Sequence, residues 1–543
     1  MKRLSQKLFF LILLVSQVVP GIASTEISDN LKLFFDQSLK KQGQILEASP
    51  YSSLLLEQFY KNREYHSAWI NEGKIYSGAN ELLRALRQSD REGLRPHDYR
   101  VDLLQELIEQ YKKSNTDNIS VQLKLEIFLT DSFLTYGSHL LSGRLNPYKV
   151  DNEWFANRRT GDLPNILEAA LKHDNLRTML RDLLPSHPFY QRLKSVLSKY
   201  KTLQEKGGWP KIPEGRPIRK GDIDDRVPLL RKMLILTGDL NLRFNEKKIF
   251  DAPLERALGN FQKRHGLDED GILGKSTSDV LRIPVEVRIA QLEANLERCR
   301  WLPADLGRRH IFVNIPDFRL QLYDNDHEAI NMKVIVGRKM RRTPVFSSTM
   351  TYIVLNPPWN VPKKIAKVDI LEHIAEEPDY LTKYGFEVFS HHGEKATKID
   401  HTSVDWSKVD PEAMPYHFRQ QPGAQNALGQ IKFHFPNQFD VYLHDTPSRS
   451  LFQKTIRDFS SGCIRIEKPV ELASYLLSGT PFESEESIKN ALKKRANQTI
   501  LIPSPIRIHL LYWTAWADEH GNVQFRTDLY GRDQTLIQAL QKY

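Results

Sequence analysis

A cysteine and a histidine near the C-terminal end of the chain could form a nucleophile and its base. Cys463 lies in SSGCIRIE, and His444 lies 19 residues upstream in VYLHD. A thiol becomes an effective nucleophile only as the thiolate, which requires a nearby base or a positive electrostatic setting. His444 is the best candidate for that base. The pair therefore predicts nucleophilic catalysis by a cysteine.

Both residues lie in short segments with the alternation of β-strands. In VYLHD, Tyr442 and His444 alternate with valine and leucine, so they share one face of the strand. In SGCIRIE, Cys463 and Arg465 likewise alternate with two isoleucines. If both apolar faces point to one core, the thiol and the imidazole emerge on the same side.

The residues before Cys463 suit the same chemistry. Ser461 and Gly462 let the backbone turn so that amide N–H groups point at a developing oxyanion. The alternative is that Cys463 is a buried small hydrophobe, the commonest fate of a free cysteine. A glycine before it and an arginine two residues after it make a poor core sequence, which disfavours that alternative.

The strands that must position these residues begin near His310, where the apolar period becomes two. HIFVNIPDFRLQLYD, MKVIVG, MTYIVLN, ALGQIKFHFP and DVYLHDTP predict strands, and IRIHLLYWTAWADEHGNVQFRTDLYG predicts two more. This spacing predicts an antiparallel sheet or barrel within a domain at 284–543. About 60 polar, partly helical residues interrupt it, and a bare loop of that length is uncommon. We therefore predict an inserted capping subdomain at 363–426.

The chain before these strands is predominantly helical. Apolar residues at three- and four-residue spacing predict a helical domain over 25–204. The segment 205–225 is rich in glycine, proline and charge and predicts a linker. Residues 226–283 predict a bundle of three short helices. Several domains are expected, since 543 residues exceed what one hydrophobic core supports.

The N-terminus predicts an export signal at 1–24. Three basic residues precede an apolar run at 8–19, and small residues follow Pro20. The run is shorter than the ~20 residues of a membrane span, which favours cleavage and leaves an uncleaved anchor as the alternative. Exported proteins can form disulfides, but this chain has two cysteines, Cys299 and Cys463. A disulfide between them is a minor alternative, because proteins that are stabilised by disulfides usually carry an even number of cysteines close together in the sequence.

The net charge is +10, which suits an anionic partner such as wall polymer, acidic peptide stems or a lipid surface. Nucleic acid is a weaker alternative, because export is predicted and no basic stripe with interleaved aromatic residues is present.

The motifs together resemble a known family. YLHDTP followed by SSGCIRI resembles the catalytic signature of the L,D-transpeptidases, of the large multidomain type known as YcbB-like. VGRKMRRTPVFSSTMTYIVLNPPWNVP resembles the family's strands leading into the site. Residues 226–283, with FQKRHGLDEDGILG, resemble its three-helix peptidoglycan-binding module, and 25–204 its scaffold domain. The expected fold class is multidomain α+β: a helical scaffold, that module, and a mostly-β catalytic sandwich or barrel with an inserted lid.

The resemblance implies a cell-wall cross-linking enzyme of the periplasm without a metal or organic cofactor. The Cys463 thiolate would attack the bond between meso-diaminopimelate and D-alanine of a tetrapeptide stem, with His444 as base. D-alanine would leave, and the side-chain amine of a second stem would attack the acyl-enzyme to form a 3→3 cross-link. Carbapenems would acylate the cysteine, and a glycan synthase or D,D-carboxypeptidase would be a partner.

One residue departs from the commoner form of the motif, which has a second histidine where this chain has Ser461. The YcbB-like branch tolerates serine there, but the group that orients His444 stays open between Asp445 and a backbone carbonyl. Arg465 is expected to fix a stem carboxylate or to pair with an acidic residue. Tyr442 is expected to line the cleft or to pack.

Three rival hypotheses stay open. Water could resolve the same acyl-enzyme, which would make the protein an L,D-carboxypeptidase or endopeptidase. A non-catalytic wall-binding protein would use 226–283 and retain Cys463 as a relic. A metallopeptidase is disfavoured, because HIAEE at 373–377 matches neither H-E-x-x-H nor H-x-x-E-H, and His391, His392 and His401 lie in polar loop sequence.

Overall fold

The computed structural model describes residues 22–38, 51–113, 118–155, 158–325, 327–393 and 395–542. Residues 1–21 of the predicted export signal lie outside the described residues. Within those ranges, no helix has both the length and the apolar character that crossing a bilayer requires. The chain divides into two compact units, Met1–Asp90 with Leu94–Leu141 and Thr160–Leu184, and Arg91–Gly93 with Ser142–Arg159 and Pro185–Tyr543.

The helices are α1 (Ile22–Ser38), α2 (Ser53–Asn62), α3 (Gly78–Arg87), α4 (Val101–Lys113), α5 (Ile119–Ser142), α6 (Pro147–Val150), α7 (Leu163–Lys172), α8 (Leu176–Asp182), α9 (Pro188–Glu205), α10 (Val227–Leu236), α11 (Ala252–Arg264), α12 (Lys275–Leu281), α13 (Val285–Arg300), α14 (Lys363–Ile365), α15 (Leu371–Glu376), α16 (Tyr380–Lys383), α17 (Pro469–Leu476), α18 (Glu485–Lys493) and α19 (Arg532–Lys542). Shorter 3-10 turns lie at Ser89–Glu92, Pro96–Tyr99, Ile315–Asp317, His401–Ser403, Trp406–Lys408 and Arg449–Gln453, and a π turn lies at Ala366–Ile370.

The strands are β1 (Ile70–Asn71), β2 (Lys74–Ile75), β3 (Arg309–Asn314), β4 (Arg319–Asp324), β5 (His327–Ile335), β6 (Phe346–Leu355), β7 (Trp359–Asn360), β8 (Phe386–Phe389), β9 (Lys398–Ile399), β10 (His417–Gln420), β11 (Ile431–His434), β12 (Leu443–His444), β13 (Ile464–Ile466), β14 (Gln498–Leu511), β15 (Ala515–Ala517) and β16 (Val523–Phe525).

The first unit is helical, with the small hairpin β1–β2, and has its own apolar core. A fully buried carboxylate, Glu126 of α5, accepts hydrogen bonds from the backbone amides of Ala68, Trp69 and Ile70 at 2.8, 2.9 and 3.0 Å. Because these bonds replace water, the buried charge is tolerated and fixes the hairpin on α5.

The second unit contains the three-helix module α10–α12, which has a separate core. The module packs against the barrel described next. The Arg526 guanidinium donates to the Arg264 carbonyl of α11 at 3.0 Å and to Asp317 at 2.7 Å, and the Thr455 hydroxyl bonds Asp268.

The rest of the second unit is built on a closed eight-stranded barrel in the order β11-β12-β13-β5-β4-β3-β14-β6. Two of its pairs are parallel, β12 with β13 and β14 with β3. The sequence patterns predicted an antiparallel sheet or barrel, but alternation alone does not determine strand direction. A parallel pair needs a crossover connection, here residues 445–463, and it brings equivalent ends of β12 and β13 together.

The capping subdomain is inserted between β6 and β11, which are neighbours in the barrel. It contains α14–α16 and the four-stranded sheet β7-β10-β8-β9, with its own core. Its ends meet where the Asn356 amide donates to the Gln430 carbonyl at 2.8 Å.

Two observations differ from the expectations from sequence. Helix α9, inside the range predicted as scaffold, belongs to the second unit, where Arg300 of α13 donates to the Tyr190 hydroxyl at 2.9 Å. Cys299 of α13 is buried and Cys463 is free, so the disulfide alternative is wrong. Burial raises the pKa of Cys299 to about 12, which leaves it an inert core thiol.

Candidate functional site

The parallel pair β12–β13 sets the geometry of the predicted site. Leu443 pairs with Ile464 and His444 pairs with Arg465, and the leucine and isoleucine are buried in the barrel. The outward face therefore carries Tyr442 and His444 beside Cys463 and Arg465. The register places Tyr442 opposite Cys463, and His444 is one same-face step, about 6.6 Å, further along the strand.

The turn before β13 is held by side chains. The Ser460 hydroxyl donates to the Cys463 carbonyl at 2.5 Å and accepts from the Gly462 amide at 3.2 Å. Gly462 has φ +118°, and its carbonyl accepts from the Thr343 hydroxyl at 2.8 Å. The Gly462 amide, expected to face an oxyanion, is thus bonded to Ser460 in this structure.

A second layer supports this turn from the segment after β5. The Thr343 hydroxyl also accepts from the Gly337 amide at 2.9 Å, and the Tyr530 hydroxyl donates to the Gly337 carbonyl at 2.5 Å. A Cβ on Gly337 would lie 2.2 Å from the Arg341 carbonyl oxygen, so only glycine allows this close approach. Sequence reasoning missed Thr343 and Tyr530. The one hint in the sequence was Gly337, the glycine that opens GRKMRRT, because a glycine there suggests a close approach of the backbone.

The thiol of Cys463 is half-buried and protonated at rest. Burial raises its pKa, against the lowering effects of hydrogen bonds to Tyr442 and of the positive charges of Lys432 and Arg465. The thiol also donates to the Asp440 carbonyl at 3.5 Å. A base is therefore required to generate the thiolate.

The imidazole of His444 is neutral and therefore has a lone pair that can accept a proton. Burial, followed by the positive charge of Arg465, lowers its pKa to about 3, so the ring is neutral at neutral pH. Its Nδ1 lies 2.6 Å from the Asp445 carbonyl oxygen, and the Leu428 carbonyl also interacts with the ring; donation from Nδ1 to Asp445 leaves a lone pair on Nε2. The orienting group is the backbone carbonyl, because the Asp445 carboxylate accepts instead from the Gln430 amide at 2.9 Å.

Lys432 is a site residue that sequence reasoning missed. It pairs with His444 across β11 and β12, and its Nζ lies 3.9 Å from the centre of the Tyr442 ring. Burial lowers its pKa, while the nearby Cys463 and Asp440 act to raise it. The alternation in IKFHF, with buried isoleucine and phenylalanines, could have placed this lysine on the outward face.

Arg465 lies on the same outward face and is half-buried. Its Nε atom is buried without a hydrogen-bond partner, and no ion pair joins it to an acidic side chain of the described residues. Burial, followed by the positive charge of Arg338, lowers its pKa. The expected pairing with an acidic side chain is not seen among the described residues, and the role of Arg465 stays a prediction.

The capping subdomain covers this face at two points. The side chains of Trp359 of β7 and of Cys463 both lie close enough to the Tyr442 hydroxyl to affect its pKa, Trp359 by lowering it and Cys463 by raising it. Arg341 forms an ion pair with Asp369 of the π turn and donates to the Ser461 hydroxyl at 2.9 Å. Arg341 thus connects the lid to the residue two positions before the cysteine.

Three family models match the chain. Residues 308–483 match the model of the "L,D-transpeptidase catalytic domain", 224–281 that of a "Putative peptidoglycan binding domain", and 55–197 that of a "Scaffold domain". Residues 308–483 are therefore similar to the catalytic domain of the L,D-transpeptidases. This confirms the resemblance noted in the sequence and the multidomain α+β fold class, with a helical region, a peptidoglycan-binding domain and a mostly-β catalytic domain.

Two individual proteins are similar to parts of the chain. A protein of Haemophilus influenzae strain Rd, named "Putative L,D-transpeptidase", is 38% identical over 247 residues. The match covers 45% of this chain and 48% of that protein, so the chain spans about half the length of this relative. The crystal structure of an L,D-transpeptidase from Xylanimonas cellulosilytica is 13% identical with a TM-score of 0.17, and the match covers 55% of this chain and 99% of that one.

Proposed function

We propose that the protein is a peptidoglycan L,D-transpeptidase that forms 3→3 cross-links through a thioester at Cys463. The observation that supports this most is the shared outward face of β12 and β13. There a neutral imidazole and a protonated thiol lie on adjacent strands, within a domain of the matching family.

In the acylation step, His444 Nε2 removes the thiol proton and Cys463 Sγ attacks the carbonyl that joins diaminopimelate to D-alanine. Lys432 and the Tyr442 hydroxyl stabilise the thiolate. The Ser461 and Gly462 amides stabilise the oxyanion. The Gly462 amide first gives up its hydrogen bond to the Ser460 hydroxyl and then donates to the oxyanion instead. The protonated imidazole then gives its proton to the departing amine, so that D-alanine leaves and a thioester remains.

In the second step, the side-chain amine of another stem attacks the thioester. His444 accepts a proton from this amine and returns it to the sulfur, which restores the thiol and completes an amide bond. Water would give a free tripeptide instead, so the reaction depends on exclusion of water by the lid. The ion pair between Arg341 and Asp369 holds the lid near Cys463.

The other domains fit a wall substrate. The peptidoglycan-binding module packs on the catalytic barrel, so a bound strand of wall lies near the site. We propose a periplasmic, wall-associated location after export by the signal at 1–24, with stem peptides as donor and acceptor. A glycan synthase or D,D-carboxypeptidase that supplies tetrapeptides, and inhibition by carbapenems, belong to the same proposal.

The test is mass spectrometry of products after incubation of residues 25–543 with a disaccharide-tetrapeptide, beside Cys463→Ala. Cross-linked dimer and free D-alanine, both absent with the variant, are expected. Tripeptide without dimer would identify a carboxypeptidase. Absence of turnover by either protein would favour a wall-binding protein.

A further inference from the structure

Arg465 has an unused hydrogen-bonding capacity beside the nucleophile. It follows Cys463 by two residues on the same outward face of β13, and its buried Nε has no partner. A buried guanidinium donor without an acceptor is costly, and proteins retain such groups where a ligand completes them.

The backbone of a second arginine, Arg338, lies close to the cysteine turn. Ile335, the last residue of β5, pairs with Arg465, and the chain then continues to Arg338. The Arg338 amide donates to the Ser460 carbonyl at 3.0 Å, which fixes this segment against the cysteine turn. Arg338 is exposed, and its charge is close enough to Arg465 to perturb that guanidinium.

The positive charges of Arg338 and Arg465 repel each other, and an anion bound between them would relieve that repulsion. With the proposed function as its basis, we infer that Arg338 and Arg465 bind the free C-terminal carboxylate of the residue that leaves in the acylation step. Arginine suits this task, because its planar fork binds carboxylate oxygens in pairs.

The position of the pair favours this carboxylate over others in the stem. Three bonds separate the attacked carbonyl carbon from the carboxylate carbon of the leaving residue. The side-chain carboxylate of diaminopimelate is six bonds from the same carbon. Because Arg465 is only one same-face step from Cys463, about 6.6 Å along the strand, the nearer carboxylate is the one that we assign to it.

This subsite would make the enzyme specific for a chain end. A pentapeptide has an amide where the tetrapeptide has a carboxylate, so its fourth residue cannot complete the guanidinium pair. The same argument applies to a tetrapeptide amide, in which the terminal carboxylate is converted to a primary amide. This substrate differs from the tetrapeptide acid only in that the charged group is replaced by an uncharged one.

The experiment measures kcat/KM for release of the fourth residue from a disaccharide-tetrapeptide acid and from its C-terminal amide. The wild-type protein is expected to prefer the acid by about tenfold to a hundredfold, as for loss of a charge-assisted hydrogen bond. Arg338→Gln should lower the rate on the acid about tenfold and leave the rate on the amide unchanged. Arg465→Lys should also lower the ratio of kcat/KM on the acid to kcat/KM on the amide.

Lys339→Gln is the matched control, because Lys339 is an exposed neighbour and its loss removes the same charge. It should leave the preference for the acid intact. Equal wild-type rates on the two substrates, or an equal effect of Arg338→Gln on both, would overturn the subsite while the proposed function stands. Failure of the wild-type protein to release a residue from either substrate would overturn the proposed function, and the subsite with it.

Discussion

In the parallel pair of β12 and β13, Cys463 lies opposite Tyr442, whereas His444 lies opposite Arg465. The immediate neighbours of the thiol are therefore the tyrosine hydroxyl and the lysine that stacks on its ring, with the base one step away. This arrangement separates two tasks, stabilisation of the thiolate and removal of the proton, between different residues.

Replacement of Lys432 tests the first task. Lys432→Met should raise the pKa of the Cys463 thiol further and slow its alkylation by iodoacetamide at pH 7 about three- to tenfold, because a positive charge beside the thiolate is lost. Lys432→Arg keeps the charge and should retain most of the rate. Equal rates for Lys432→Met and the wild-type protein across the pH range would show that the lysine does not act on the thiol.

The pH dependence of acylation tests the second task. With a pKa of about 3, His444 is neutral throughout the range above that value, whereas an ordinary histidine becomes protonated below about pH 6.5. The rate of D-alanine release in the first turnover should therefore be nearly constant between about pH 5 and 8. A fall in this rate centred near pH 6.5 would contradict a buried, neutral base.

The backbone at Gly462 should tolerate no side chain without loss of activity. At φ +118°, Gly462→Ala should lower the free energy of unfolding by about 1–3 kcal/mol and reduce kcat more than tenfold, because the cysteine turn must shift. Thermal unfolding and D-alanine release measure the two effects. Gly479, exposed with φ +79° and open space around it, is the control. Gly479→Ala should lower stability with unchanged kcat, and equal losses of kcat in both variants would contradict the prediction.

The ion pair of the lid should control the fate of the acyl-enzyme. Asp369→Asn removes the charge that holds Arg341, so water should gain access and the ratio of tripeptide to cross-linked dimer should rise about threefold or more. Product mass spectrometry gives this ratio. Lys367→Met breaks an ion pair at 2.7 Å inside the lid, between Lys367 and Glu412, and should leave the ratio unchanged. If both variants give the wild-type ratio, the ion pair between Arg341 and Asp369 does not control access of water to the acyl-enzyme.

Local sequence patterns predicted the fold class and the outward face that Tyr442, His444, Cys463 and Arg465 share. They did so because alternation is a property of one strand at a time. Strand neighbours are not local, so the pattern did not reveal that β12 and β13 are parallel or that β11 brings Lys432 beside them. Thr343 and Tyr530 were missed for the same reason, since they reach the cysteine turn from distant parts of the chain.

The insertion point of the capping subdomain also matters for how such proteins can diverge. Strands β6 and β11 are paired where the insert begins and ends. In the topology of the barrel, the whole insert is therefore the connection of one β-hairpin. Changes within the segment that spare Trp359 and Asp369 keep the pairing of β6 with β11 and the contact of Asp369 with Arg341. The insert, which has its own sheet and core, can therefore diverge in sequence while the barrel keeps its strand pairing.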